Sequence, residues 1–165
     1  MALLRVVGLL LLPWLLSLGC GYRVGRPPVT LGLCLGEVRA PVAEPGVADA
    51  MSAALAAAIR RAGAHGERGI LVQVRRADFQ PSASRAGSVL AWEAVLEVSF
   101  VLSGPQAREL TLKRSMVVVT PAGGMQPNQL RSPAFEQLAV VLADEAVSSF
   151  LYAPAGADPA QGVEP

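Results

Sequence analysis

Two thiols and one imidazole, Cys20, Cys34 and His65, are all the cysteine and histidine that this 165-residue chain offers. A zinc centre takes three or four Cys, His or carboxylate ligands, and once Cys20 is set aside for lipid, as argued below, one His and one Cys fall short of the common sets. His65 stands in "RAGAHGERG", a Gly-rich stretch with no Ser or Cys nucleophile motif beside it, and reads as a solvated loop histidine. Cys34 lies in the apolar run "TLGLCLGEV", where a thiol behaves as a small buried hydrophobe. No G-x-S-x-G elbow is present, and "GERG" and "AGG" are too short to cradle phosphate. Glu93, Glu97 and Glu109 are carboxylates that folding could pair for acid–base work, but alternating Glu on a strand reads as its wet face. No catalytic residue, metal site or cofactor is assigned, and the chain is read as not an enzyme.

Cys20 is a different case, because of its place in "LSLGCGYR". The first nineteen residues carry one positive charge at Arg5, an apolar run over 6–16 and a small residue at Gly19, the layout of an export signal. A membrane-spanning helix needs about 20 apolar residues; this run is shorter and is interrupted by Pro13. An ordinary secretory signal ending in a chance cysteine is one reading. The segment resembles more closely a bacterial lipoprotein signal, in which a small residue precedes a cysteine whose thiol takes a diacylglyceryl group before cleavage. The usual pattern sets Leu three residues before that cysteine; here Ser17 stands there and Leu16 lies one place further back. On this reading Cys20 is the lipid-attachment site, carrying palmitate-type chains, and the first residue of the mature protein. Gly21, where an Asp would retain a lipoprotein in the inner membrane, favours the outer one. Two or more acyl chains anchor stably where one does so only marginally.

The chain beyond the signal suits a single domain with one core. The whole chain has 14 basic and 13 acidic residues, and losing Arg5 balances them. That balance implies no affinity for nucleic acid or other polyanions. With Cys20 acylated, Cys34 has no partner for an intrachain disulfide.

The elements are legible along the chain. The boundaries are a signal over 1–19, a lipidated, Pro-rich tether over 20–28, a folded domain over 29–152 and a disordered Pro/Gly/Ala-rich tail over 153–165. A first strand is predicted over 30–38. Val47, Met51, Leu55, Ile59 and Ala62 then recur every three to four residues, the stripe of a helix that Gly63 stops. Ile70, Val72 and Val74 alternate with Leu71, Gln73 and Arg75 in a second strand closed by Pro81, and "SASRAG" comes next as a turn or loop. Leu90, Trp92, Ala94, Leu96, Val98, Phe100 and Leu102 share one face of a third strand, with Glu93, Glu97, Ser99 and Ser103 opposite. Ser103, Gly104, Pro105 and Gln106 suit a hairpin loop, and Leu110 and Leu112 begin the return strand. Ser132 is the predicted N-cap of a second helix, with Pro133 at its first position and Phe135, Leu138, Leu142, Ala146 and Phe150 as its buried stripe. The fold class is α+β: a two-layer sandwich of a roughly four-stranded, mostly antiparallel sheet with two helices on one face.

The "CGYR" start, the Pro-rich tether, the helix "VAEPGVADAMSAALAAAIRRAG" and the strands "ILVQVRRADFQP" and "AWEAVLEVSFVLSG" together resemble the LPS-assembly lipoprotein family, the LptE group, over residues 20–152. The resemblance implies an outer-membrane lipoprotein facing the periplasm that plugs an LptD-like β-barrel translocon and helps insert lipopolysaccharide into the outer leaflet. It implies binding and no bond chemistry. Arg75, Arg76 and Arg85, read as flanking the turn between strands two and three, and Lys113 and Arg114 on the return strand, are then candidate contacts to the phosphates of lipopolysaccharide, which guanidinium groups can meet as bidentate donors. Two other functions suit the same elements. One is an accessory lipoprotein of another envelope machine, such as a secretin or a peptidoglycan synthase. The other is a carrier whose Ala-rich first helix lines a cavity for a hydrophobic ligand.

Overall fold

The apolar stripe over 47–62 forms helix α1, Val47–Ala62, in the computed structural model. Val47, Met51, Ala54, Leu55, Ala58 and Ile59 are buried along it. Gly63 ends the helix in the left-handed region at φ 65°. Its amide donates to the Arg60 carbonyl and that of Ala64 to the Ile59 carbonyl, the paired bonds of a Schellman stop. The structure describes residues 31–40, 46–85, 88–105, 107–121 and 126–152. The predicted signal, Cys20, the tether and the tail lie outside them.

The strands are β1 (Leu33–Arg39), β2 (Arg68–Arg85), β3 (Ser88–Leu102) and β4 (Arg108–Val119), and a second helix, α2, spans Pro127–Tyr152. The sheet order is β1-β2-β3-β4. β2, β3 and β4 form an antiparallel meander, whereas β1 runs parallel to β2, with α1 as the crossover that a parallel pair requires. Both helices cover one face, and Ile70, Val72, Val74, Leu96, Val98, Phe100 and Leu102 of the sheet share a single core with Met51, Leu55, Phe135, Leu138 and Leu142 of the helices. The α+β two-layer class read from the sequence holds. Ala54, Ala58, Ala139, Ala143 and Ala146 are at most 5% exposed inside that core, so the alanines serve close packing rather than a ligand cavity. At the base of the sheet Gly32 and Gly66 press backbone to backbone: a Cβ on Gly66 would sit 2.2 Å from the Gly32 Cα.

Four details differ from the sequence reading. β2 runs through Pro81 to Arg85, so "SASR" is strand and only 86–87 separates it from β3. The register shifts between Pro81 and Ala83 and between Ala83 and Ser84, and earlier a bulge between Val74 and Arg76 inserts one extra residue. Before it Ile70, Val72 and Val74 face the helices; after it Ala77, Phe79 and Pro81 do, opposite Leu96, Ala94 and Trp92. Arg75 and Arg76 therefore sit at this bulge, far along the strand from the turn that the sequence reading sets them beside.

The second helix begins at Pro127, not Ser132. Pro127 takes the first position, the Gln129 amide donates to the Gln126 carbonyl at 2.9 Å, and the Gln126 amide donates to the Gln129 side-chain carbonyl at 3.4 Å. Such reciprocal bonding with Gln at the third position starts a helix as a capping box does. Pro133 consequently lies inside the helix.

Leu90, expected on the buried face, is 46% exposed, and Trp92 is half-buried. The hairpin outruns the helical cover there, and Trp92 is shielded instead by Phe79, stacked with ring centroids 5.2 Å apart. Ser99, expected on the wet side, is 2% exposed because Arg75 and Thr111 close over it.

Candidate functional site

With both helices on one side, the other face of the sheet is built from side chains alone. β3 supplies its spine of Glu93, Val95, Glu97, Ser99 and Val101, flanked by Gln73, Arg76, Asp78 and Gln80 of β2 and by Glu109, Thr111, Lys113, Ser115 and Val117 of β4. Arg39 adjoins Gln73 from β1.

At its centre is a polar network. The bulge leaves Arg75 without an opposite residue on β3, and its Nε donates to the Ser99 hydroxyl at 3.1 Å. Ser99 and Thr111, which face each other across β3 and β4, join their hydroxyls at 2.9 Å. An Arg75 terminal nitrogen lies 3.7 Å from a Glu109 carboxylate oxygen. The sequence reading misses Ser99 and Thr111. Their signal is the hairpin register, which sets "VSF" of β3 opposite "LTL" of β4. The next row runs Arg76, Glu97, Lys113 across three strands, plus, minus, plus. Arg76 also binds Asp78.

Arg39 forms a two-pronged bond to Glu37, 2.8 Å at each oxygen, on the exposed rim. That hydrogen bond, then the guanidinium charge, holds the Glu37 carboxyl below the ordinary carboxylate range and correspondingly raises Arg39. The face is thus a mosaic in which each cation has an acidic neighbour within the sheet, near neutral overall.

The five candidate phosphate contacts do not converge. Arg75, Arg76 and Lys113 share the open face. Arg85 stands at the hairpin end of β2, opposite Ser88. Arg114 faces the other way: it lies opposite Leu96 on the helix side, and its terminal nitrogen reaches both Glu145 oxygens of α2 at 2.9 and 2.8 Å. Arg114 fastens α2 to β4.

The carboxylates Glu93, Glu97 and Glu109 do share this face, each among cations, hydroxyls or apolar side chains. Among the described residues no group of three or more His, Cys, Asp or Glu could hold a metal ion. His65 is exposed in the loop after α1. Cys34 is half-buried beside Gly69 on the open face, less enclosed than its apolar neighbours suggest. A groove of about 270 Å³ runs where the two helices begin, lined by Val47, Ala50, Asn128, Arg131, Ser132, Phe135 and Glu136. A smaller one of about 170 Å³ lies on the open face between Glu37, Arg39, Leu71, Gln73 and Val101. No described helix is long and apolar enough to cross a membrane.

No family model and no curated protein matches this chain. Among solved structures it resembles a minor lipoprotein from Acinetobacter baumannii, with a TM-score of 0.50 at 16% identity over 74% of this chain and 92% of the other. The rare lipoprotein B of Shewanella oneidensis superposes with a TM-score of 0.45 at 12% identity, over 72% of this chain and 92% of that one. The likeness to the Acinetobacter protein is one of fold.

Proposed function

We propose that this chain is a cell-envelope lipoprotein, anchored through an acylated Cys20, that acts by docking its open sheet face on a protein surface. The observation that carries this is the one-sided cover of the sheet among the described residues, which leaves a broad face of charge pairs and hydroxyls. A rigid mosaic of both signs suits a protein wall of matching polarity better than it suits a polyanion, because complementary charges give specificity and register. The export-like segment ending at Cys20 and the fold shared with a minor lipoprotein support the envelope setting.

The finer reading is the one the sequence resemblance implies. The domain faces the periplasm from the outer membrane, fills an LptD-like barrel and assists delivery of lipopolysaccharide. A barrel of many strands encloses a lumen wide enough to need filling, and a compact domain with one polar sheet face can meet such a polar lumen. Direct lipopolysaccharide contact would fall to Arg75 and Arg76, the two candidate arginines that share the open face. Reversing both to Glu is expected to weaken binding of purified lipopolysaccharide; unchanged binding removes them from any such site.

The deciding experiment is affinity capture of the full-length protein from detergent-solubilised outer membranes, with mass spectrometry of the N-terminal peptide and of the co-purifying proteins. Acylated Cys20 with a stoichiometric translocon barrel is the expected result. A secretin or peptidoglycan-synthase complex in its place keeps the anchored docking module and replaces the barrel plug. An unmodified, uncleaved N-terminus overturns the anchor.

A further inference from the structure

The two edges of the sheet are treated differently. β1 is a short edge of seven residues, broken by an irregularity between Leu35 and Val38 and carrying the Glu37–Arg39 pair. Short length, a bulge and charge are the usual means of keeping an edge from pairing. β4 is a 12-residue edge whose register with β3 has no break, from Arg108 opposite Leu102 to Val119 opposite Ala91. Its charges, Arg108, Glu109, Lys113 and Arg114, all fall before its last five residues. The remainder reads Ser115, Met116, Val117, Val118, Val119 and then Thr120, uncharged and rich in β-branched residues. On it Val117 and Val119 are 61% and 70% exposed, the highest values among the exposed large hydrophobic side chains described.

We infer that this uncharged end of β4 pairs antiparallel with the same segment of a second copy of the chain, joining two sheets edge to edge. The charges disfavour pairing centred on the first half of the strand, and the exposed valines favour one register in the second half. A two-fold axis at Lys113 or Arg114 would set that cation against itself, a destabilising like-charge pair, and an axis at Ser115 or Met116 would lay Lys113 over the exposed Val117 or Val119 of the other copy. An axis at Val118 brings no two charges together within residues 115–121. It sets Val117 of each copy against Val119 of the other, so the two most exposed valines cover each other twice, and Met116 against Thr120. A single uncharged segment thus supplies both sides of an isologous interface, the self-complementary patch that two-fold dimers use. Nothing in this pairing depends on the proposed envelope role.

The register makes the test sharp. In full-length protein carrying Cys34→Ser, Val117→Cys and Val119→Cys are placed on separately tagged chains and the chains mixed under mild oxidation. Directly opposed Cα atoms lie about 4.5–5.5 Å apart, within the roughly 4.4–6.8 Å that a disulfide spans, whereas diagonal neighbours lie at about 7–8 Å. Mixed chains are expected to give a disulfide dimer several-fold more abundant than either variant alone. Equal yields from all three combinations, or none, overturn the register. Sedimentation of the detergent-solubilised Cys34→Ser protein checks association without cross-linking. A dimer is expected, reduced to monomer by Val117→Lys with Val119→Lys at unchanged circular dichroism and melting temperature. A monomer at every concentration, or a strand of another protein cross-linked at position 117, overturns self-pairing.

Discussion

The two faces of β3 are made from alternate residues of one strand and obey different rules. Ala94, Leu96, Val98, Phe100 and Leu102 look toward the helices and are at most 1% exposed, held by apolar contact alone. Glu93, Glu97 and Ser99 look the other way, where Ser99 is held by hydrogen bonds to Arg75 and Thr111 and Glu97 stands opposite Lys113. Apolar burial is non-directional and tolerates any shape that fills the space; hydrogen-bonded side chains need particular partners at particular distances. The covered face therefore specifies the fold, and the open face is ordered by its own side-chain partners.

The largest expected effect lies on the covered face. Phe100→Ala removes a fully buried ring at the centre of the core and should cost about 3–5 kcal/mol in denaturant unfolding. Glu93→Ala, on the same strand and the open side, should stay within about 0.5 kcal/mol. Equal losses would mean that the open face carries the fold as well, and the division of labour would fail. Next in size is Ser99→Ala. It deprives Arg75 and Thr111 of their shared hydroxyl and should cost about 0.5–1.5 kcal/mol, the net worth of a hydrogen bond, since both groups left behind are exposed and can turn to water. Combining it with Thr111→Val should cost less than the sum of the two, because both changes break the same bond. Smaller again is Arg114→Gln. Its pair with Glu145 is half exposed, at 51% and 33%, so the loss should be under about 1 kcal/mol and should fade with salt. A large, salt-insensitive loss would assign α2 docking to that pair instead of to the apolar stripe.

The same contrast governs what is readable in the sequence. The covered face announces itself by period: α1 and the stripe of α2 stand where Met51, Leu55, Ile59, Phe135, Leu138 and Leu142 predict them. The open face is read only in part: the alternation sets Glu93, Glu97 and Ser99 on it, but not what stands beside them. Arg75 and Arg76 look like turn residues because alternation fails after Val74, and a failed alternation marks a turn or a bulge equally. Only the pairing of Arg76 with Glu97 tells them apart, and that is a long-range fact. Lys113 and Arg114 look alike as neighbours in one strand, yet strand geometry must send them to opposite faces. The start of α2 escapes a local reading because Ser132-Pro133 is a strong signal, whereas the Gln126–Gln129 exchange uses a weaker capping residue.

The smallest effect concerns the rim, where the open face meets solvent. Arg39 holds the exposed Glu37 carboxyl below its ordinary value, first by hydrogen bond and then by charge. A carboxylate whose folded pKa is depressed adds stability above its unfolded pKa and loses it as the pH falls through the folded value. Arg39→Gln should therefore raise the Glu37 pKa toward that of a free carboxylate, read from its side-chain carbon shifts in an NMR titration, while neutral-pH stability scarcely changes. If instead the melting temperature drops at neutral pH and the titration stays put, Arg39 is supporting β1 through its packing. The charged pair would then be part of the edge itself, and the difference between the two edges of the sheet would rest on side-chain cover as well as on charge.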